Sequence, residues 1–405
     1  MGIVKPTMLP ILALLIALGV LTCAGCAPAP EMEATPTPEP LVPTPIRAEA
    51  GRRSPPAATA DVSASLPAVP PPGRERFGVG VPAGSITDYP AERLGIGWYL
   101  NWRVEVHPPR PGGVAFWQMV RVSEEGYRPD AATIRAAASA NPGSVWLIGN
   151  EPDVVWQDNT TPQRYAVIYH ELHRLLKSAD PTCRVAIGGV AQPTPLRLAY
   201  LEQVLSAYQA RYRQPMPVDV WNLHNFLLRE ERGSWGVGIP PGMDVTAGVL
   251  YEIEDHDDLE AFRSQVLTFR RWMAERGQRD RPLVISEYGI VMPSDYGFDQ
   301  ARVQAFLYAT FDYFLTATDE EVGYPQDGNR LVQWWAWYSL ADTVYPTGNL
   351  FDPVTKAPTG LGVAFARYVV PERGGGRRAT TVTNVLRFDC AHSFLVDSWA
   401  ISLLY

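Results

Sequence analysis

A (β/α)₈ barrel is the fold class that the sequence predicts, and two observations predict it. Short apolar runs typical of strands alternate with several helical patterns. Many of these runs are continuously apolar, as expected for parallel strands covered on both faces. The eight runs cover 77–81, 95–102, 114–120, 145–150, 184–189, 218–226, 282–290 and 332–340. Helices are predicted at 161–179, 196–212, 259–277 and 299–317. Together they place one barrel between residues 76 and 370.

A doubly wound open sheet is the alternative α/β fold. It commonly carries a glycine-rich phosphate-binding turn after the first strand. The stretch GVGVPAG at 78–84 lacks the spacing of that turn. No internal repeat is visible either, so the sequence favours the barrel.

The first 26 residues predict an export signal. Lys5 precedes an apolar run from Met8 to Thr22, which is shorter than the ~20 residues of a membrane span and is typical of a signal peptide. Ala24-Gly25-Cys26 resembles a bacterial lipobox, although Cys23 stands where leucine is usual. The resemblance implies that Cys26 is lipidated in a cell-surface lipoprotein. Ordinary secretion and a retained anchor are the alternatives, and all three place the folded domain outside the cytoplasm.

Two further segments flank the predicted barrel. Residues 27–72 hold 13 of the 38 prolines and show no apolar periodicity, so we predict a disordered, extended linker over 27–75. After residue 370, the stretch ERGGGRR breaks the pattern, and we assign no role to the tail at 371–405.

Composition excludes several classes of protein. The net charge is −8 and no basic stripe is present, which argues against a nucleic-acid partner. The four cysteines are Cys23, Cys26, Cys183 and Cys390, and their spacing matches no zinc site or disulfide framework. A pairing of Cys183 with Cys390 stays open. We predict no metal and no organic cofactor.

Chemistry-bearing side chains follow the predicted strands at their carboxyl ends, which meet at one face of a barrel. The fourth run ends in Asn150-Glu151-Pro152-Asp153, the sixth in His224, and the seventh in Glu287-Tyr288. Alone, Glu151 is as consistent with a turn as with catalysis, and the role of Asp153 stays open. Glu287 interrupts an apolar run, where an unpaired carboxylate is costly to bury. Two carboxylates at one opening suit glycosidic bond cleavage, which needs a proton donor and a nucleophile.

These motifs resemble a known family. Asn150-Glu151-Pro152 on the fourth strand and Ser-Glu-Tyr-Gly at 286–289 on the seventh are similar to the large clan of retaining glycoside hydrolases built on (β/α)₈ barrels. The resemblance implies that Glu151 is the acid/base and Glu287 the nucleophile. It also implies that Asn150 contacts the sugar 2-hydroxyl and that His224 lies beside the nucleophile.

The resemblance extends to substrate binding. It implies a tryptophan platform for the sugar on the eighth strand, at Trp337 or Trp335, with Tyr288 also placed among the substrate-binding residues. Trp98 and Trp102 are at least as consistent with core packing as with sugar binding. GWYLNW at 97–102 also resembles smaller barrels of the clan, some of which act on β-1,3-glucans. The chain departs from the clan after His224, where Asn-Phe replaces the common Trp-Tyr.

The sequence therefore predicts an exported, retaining glycoside hydrolase of a poly- or oligosaccharide. Retention requires a carboxyl separation of about 5–5.5 Å, against about 6.5–9.5 Å for an inverting pair. A non-catalytic carbohydrate-binding lipoprotein on the same barrel is the alternative from another class. A metal-dependent amidohydrolase would need several histidines at strand ends, and only His224 qualifies. The sugar, its linkage and exo or endo action cannot be identified from the sequence.

Overall fold

The computed structural model describes residues 73–370. The predicted signal peptide, the lipidation site at Cys26, the linker up to residue 72, Cys390 and the tail from 371 lie outside the described residues. The described chain begins with a short turn in which Arg76 is already buried and paired with Asp327 at 2.6 Å. Cys183 is buried and forms no disulfide within this part of the chain.

Ten strands and six α-helices form the described region. The strands are β1 (Phe77–Gly80), β2 (Trp98–Leu100), β3 (Ala115–Phe116), β4 (Gln118–Val122), β5 (Tyr127–Arg128), β6 (Val145–Asn150), β7 (Arg184–Gly189), β8 (Trp221–His224), β9 (Leu283–Tyr288) and β10 (Trp334–Trp337). The helices are α1 (Ala131–Ala140), α2 (Pro162–Ala179), α3 (Pro195–Tyr212), α4 (Leu259–Glu275), α5 (Gln300–Thr316) and α6 (Gly360–Val369).

The strands form two sheets whose edges meet. One has the order β3-β2-β1-β10-β9-β8, and the other β5-β4-β6-β7. Only Trp117 separates β3 from β4 along the chain, and parallel bridges Ala186–Val220 and Val190–Leu223 connect β7 with β8. All pairs are parallel except β4 with the short β5. Eight parallel strand positions thus follow one another in (β/α)₈ order, and the predicted fold class is confirmed.

The four predicted helices are confirmed as α2 to α5, and the sequence reading missed α1 and α6. Helix α1 is alanine-rich and is capped by Asp130, whose carboxylate accepts the N–H groups of Ala132 and Thr133. The first two crossovers contain only 3₁₀ turns, at Ile86–Asp88, Ala91–Leu94 and Pro111–Gly113. No helix within residues 73–370 is long and apolar enough to cross a membrane.

Side chains on β10 show how the barrel is packed. Trp335 and Trp337 belong to the large core between the sheet and the helices. Trp334 and Ala336, on the opposite face, belong to a second cluster that fills the barrel interior. This alternation follows from the period of two along a strand. The interior is therefore a packed core.

Strand β9 carries a β-bulge at Ser286–Glu287. Its register shows one residue more than either neighbour: the pairs are Leu223–Ile285 and His224–Glu287 towards β8, and Trp335–Ile285 and Trp337–Tyr288 towards β10. A bulge re-aims the side chains that follow it. Here Glu287 turns towards the barrel axis, where it meets His224, while Tyr288 packs against the helices.

Candidate active site

Four predicted site residues meet at the carboxyl ends of the strands. Asn150 ends β6, Glu151 follows it, His224 ends β8, and Glu287 lies on β9. One imidazole contacts both carboxylates: His224 Nδ1 lies 2.9 Å from Glu151 Oε1, and its Nε2 lies 3.4 Å from Glu287 Oε1. His224 is fully buried, and Glu151 and Glu287 are only 8% and 7% exposed. The structure therefore joins both candidate carboxylates through one side chain.

The backbone at Glu151 directs its side chain into this group. Glu151 adopts a left-handed conformation with φ of 45°, which is uncommon for a residue other than glycine. Its N–H donates to the carbonyl of Gly189 at 3.1 Å, and the N–H of Thr160 donates to the carbonyl of Pro152 at 2.8 Å. The loop is thus closed on itself and fastened to β7. Strained backbone held by its surroundings is typical of functional sites.

Asp158 fixes the end of β6 from the other side. Its carboxylate accepts the N–H groups of Asn150 at 2.7 Å and Val122 at 3.0 Å, and it pairs with Arg121 at 2.6 Å. Burial raises the pKa of Asp158, although Arg121 opposes the shift. Nothing in the sequence pattern singled out this aspartate, because its role depends on the fold of the loop.

Space for the His224 ring comes from glycine. A Cβ atom on Gly189 would lie 2.5 Å from His224 Cδ2, a distance that real Cβ atoms do not show. Any larger residue at the end of β7 would therefore displace the imidazole that links the two carboxylates.

Trp102 completes the group, although the sequence left it undecided between core packing and the site. Its indole N–H is shared between Glu287 Oε1 at 2.5 Å and Asn150 Oδ1 at 3.1 Å. It follows β2 and also has a left-handed backbone, with φ of 59°. The tryptophan-rich GWYLNW stretch was the only signal in the sequence that pointed to it.

Three predicted substrate-binding residues lie away from the mouth, which corrects the sequence reading. Trp337 is fully buried, donates its indole N–H to the carbonyl of Gly348 at 2.7 Å, and packs on Tyr288. Trp335 packs on Phe77 in the same helix-facing core. Tyr288 is fully buried in that layer too. The predicted platform on β10 is wrong because alternation along the strand shows which residues share a face, but not which face points inward.

Other aromatic side chains lie beside the two carboxylates, starting with Trp102. The rings of Trp102 and Tyr338 meet edge to face at 5.8 Å between centroids, and those of Tyr338 and Tyr345 at 6.4 Å. All three are partly exposed. The Tyr338 hydroxyl donates to Asp342 Oδ2 at 2.5 Å. Trp156, five residues after Glu151, is 50% exposed.

A buried ion network lies behind Glu151 and settles the role of Asp153. Arg197 Nε lies 2.7 Å from Asp153 Oδ2, and the same guanidinium contacts the Glu230 carboxylate. All three side chains are fully buried. Burial raises the pKa of Asp153 to about 6, against the lowering effect of Arg197. Because Glu230 lies beyond β8, the network fastens the loop after β6 to the loop after β8.

The electrostatics of the linked carboxylates depend on burial and on one another. Burial raises the pKa of Glu287 to about 7; Glu151 adds to the shift, while His224 and the Trp102 hydrogen bond oppose it. Burial lowers the pKa of His224, but the carboxylates of Glu287 and Glu151 outweigh it, so the pKa is raised. Glu287 therefore changes its charge near neutral pH, beside an imidazole that readily holds a proton.

Within residues 73–370, no group of three or more His, Cys, Asp or Glu side chains is placed to hold a metal ion. The arrangement that the structure does provide is a pair of carboxylates, an imidazole, an amide and an indole N–H. Such a set can donate and accept protons and can attack an electrophilic carbon.

Similar folds occur among solved structures. A GH128 (subgroup II) endo-β-1,3-glucanase from Pseudomonas viridiflava matches with 17% identity and a TM-score of 0.50, over 72% of this chain and 96% of that chain. The Sorangium cellulosum enzyme of the same subgroup matches with 17% identity and a TM-score of 0.49, over 72% and 97%. A subgroup I enzyme from Amycolatopsis mediterranei, in complex with laminarihexaose, matches with 20% identity and a TM-score of 0.47, over 72% and 98%.

Neither a protein-family model nor a curated protein sequence matches this chain. The likeness to the Pseudomonas structure, at 17% identity, concerns the fold and agrees with the barrel described above.

The raised pKa of Glu287 predicts that Glu287→Gln stabilises the protein in a pH-dependent way. The native state holds this proton more tightly than the unfolded state, in which glutamate titrates near ~4.3. The stability that this proton contributes to the wild type is therefore lost as pH rises from that value to about 7. A glutamine at position 287 does not titrate, so the variant keeps its stability over the same range. The gain in free energy of unfolding should grow to about 3 kcal/mol by pH 8. Urea unfolding at pH 5 and pH 8 measures it.

The control for this variant is Glu320→Gln, at an exposed glutamate in the connection between α5 and β10. Its difference from wild type should stay constant between the two pH values. If the difference in free energy of unfolding between Glu287→Gln and the wild type is also the same at both pH values, Glu287 titrates as an ordinary surface glutamate.

Proposed function

We propose that this protein is an exported glycosidase that cleaves β-glucan with retention of configuration. One observation carries the proposal: two buried carboxylates, delivered by β6 and β9 to the barrel mouth, contact the two nitrogens of one imidazole. A structural ion pair would need neither two carboxylates on one imidazole nor strained backbone at Glu151. Perturbed titratable groups in such an arrangement are typical of catalytic sites.

In the proposed reaction, Glu287 is the nucleophile and Glu151 the acid/base. A Glu287 oxygen bonds to the anomeric carbon while the bond to the leaving oxygen breaks, and Glu151 gives its proton to that oxygen. Glu151 then takes a proton from water, whose oxygen displaces Glu287 and releases the sugar. His224 keeps the two carboxylates in a fixed relation throughout, because it contacts both.

Sugar binding is assigned to the partly exposed aromatic side chains at the mouth. Trp102, Tyr338 and Tyr345 replace the buried Trp337 as the platform. Aromatic rings bind the apolar faces of sugar rings, and the hydroxyls need polar partners such as Asn150. Asn150 is therefore proposed to contact the hydroxyl next to the cleaved bond.

A β-1,3-glucan is the proposed substrate. The Pseudomonas protein with a similar barrel is an endo-β-1,3-glucanase, and 96% of that chain matches this one. The GWYLNW stretch, which resembles the smaller barrels of the clan, supplies Trp102 to the site. Both observations support the same class of substrate.

A screen of polysaccharides tests the activity. We expect the wild type to release reducing sugars from a β-1,3-glucan, with the β configuration retained in the first product seen by proton NMR. Glu287→Ala should lose activity by at least about 10³-fold, because it removes the attacking group. Azide should restore part of the turnover in that variant, which separates lost chemistry from lost folding. Activity unchanged by Glu287→Ala would reject the assignment, and binding without turnover would favour the carbohydrate-binding lipoprotein.

A mechanism-based label tests the separate roles of the carboxylates. A pKa near 7 would also suit a proton donor, so Glu287 and Glu151 could exchange roles. We expect a 2-deoxy-2-fluoro glycosyl fluoride to form a stable ester on the nucleophile, and peptide mass analysis to locate it on Glu287. An ester on Glu151 would reverse the assignment while leaving the retaining reaction intact.

Export and lipidation are part of the proposal, supported by the apolar run before Ala24-Gly25-Cys26. In a bacterial host, the full chain should partition into the detergent phase of Triton X-114, and Cys26→Ser should move it to the aqueous phase. Cys23→Ser is the matched control and should leave the partition unchanged. Equal partition of all three proteins would reject lipidation at Cys26.

A further inference from the structure

The indole N–H of Trp102 stands out because one donor serves two site residues. It lies 2.5 Å from Glu287 Oε1 and 3.1 Å from Asn150 Oδ1. An indole nitrogen can only donate, and it holds its proton at every pH at which proteins fold. His224, the other neighbour of Glu287, gains and loses protons. Among residues 73–370, Trp102 is therefore the one permanent hydrogen-bond donor that contacts the Glu287 carboxylate.

The surroundings of Trp102 hold it in place at a conformational cost. Its φ of 59° lies in the left-handed region, which bulky residues rarely adopt. Gly80 makes room for the ring, since a Cβ atom there would lie 2.8 Å from Trp102 Cη2. Its ring and that of Tyr338 meet edge to face, with their centroids 5.8 Å apart. A strained residue that is held from several sides persists where its precise position matters.

The donor fixes the orientation of Asn150. The oxygen and nitrogen of a side-chain amide are distinguished by their partners. Because Trp102 only donates, the amide oxygen must face it, and the amide nitrogen faces the opposite way, 3.3 Å from Gln157 Oε1. Asn150 therefore offers a donor, and no acceptor, on the side away from Trp102.

The donor also acts on the charge of Glu287. Burial and Glu151 both oppose ionisation of this carboxyl, and a hydrogen bond to the charged form favours it. A nucleophile must be ionised to attack. Without the Trp102 N–H, a larger fraction of Glu287 would be protonated at neutral pH, and its reacting oxygen would lose a fixed partner.

We propose that Trp102 is a positioning residue that acts through its N–H group. It favours the ionised form of Glu287 and aligns the carboxylate, and it sets the amide of Asn150 so that a donor faces the substrate hydroxyl. The kinetic part of this inference rests on the proposed function; the hydrogen bond itself does not.

Trp102→Phe keeps an aromatic ring and removes the donor. We expect kcat/KM on the glucan to fall about 10- to 100-fold, since hydrogen bonds to charged groups contribute in that range. The acidic limb of the pH profile should move to higher pH, because Glu287 stays protonated up to a higher pH. A merely structural role would lower activity without moving that limb.

Trp272→Phe is the matched control. Its indole N–H also donates to a glutamate, Glu202 at 2.7 Å, but on α4, outside the mouth. It should leave the pH profile unchanged. Thermal unfolding of both variants shows whether each is folded. A folded Trp102→Phe with wild-type kcat/KM and pH profile would overturn the inference and leave the proposed function standing.

NMR of the indole groups tests the hydrogen bond without any substrate. In ¹⁵N-labelled protein, the resonance missing from Trp102→Phe identifies Trp102. We expect its N–H to shift with a midpoint near the pKa of Glu287, about 7, and to stop titrating in Glu287→Gln. A resonance insensitive to pH and to that substitution would reject the contact. A titrating resonance in a protein that cleaves no glycan would uphold the contact and reject the proposed function.

Discussion

The contact of two buried carboxylates with one imidazole is the constraint on which the rest of this structure depends. Buried ionisable groups are costly unless each has partners of suitable charge and geometry. Here His224 serves Glu151 and Glu287 together, and Trp102 adds a neutral donor. Gly189 at the end of β7 leaves room for the imidazole, and the left-handed backbone at Glu151 directs its carboxylate towards the same ring. The usual backbone preference of a glutamate is overridden at Glu151 because His224 and the two carboxylates must come into contact.

The loops around the mouth are fixed by the same kind of chemistry. Arg197 joins Asp153 and Glu230, all three fully buried, and Asp158 binds the backbone at the start of the loop after β6. Breaking one partner of a buried ion pair leaves an uncompensated charge, so these contacts resist loop opening. The mouth is therefore bordered by loops that buried charges hold in place.

The sequence was sufficient for the barrel and for the four residues at strand ends, because strand period and strand termini are local properties. It was insufficient wherever the direction of a side chain depends on backbone irregularity. Trp102 enters the site through a left-handed residue, which no composition rule identifies. Trp337 was misplaced because its strand is apolar on both faces. Helix α1 was missed because its many alanines give weak contrast between its two faces.

The bulge in β9 has a consequence for comparisons with distant relatives. Strict alternation from Ile285 would send Glu287 under the helices and Tyr288 towards the axis; the extra residue exchanges them. The direction of the carboxylate is thus encoded by the number of residues in the strand and not by their identity. An alignment that closes this strand without an insertion would pair the reactive position with a helix-facing one. At such low identity, counting residues along β9 is a safer guide to homologous chemistry than matching letters.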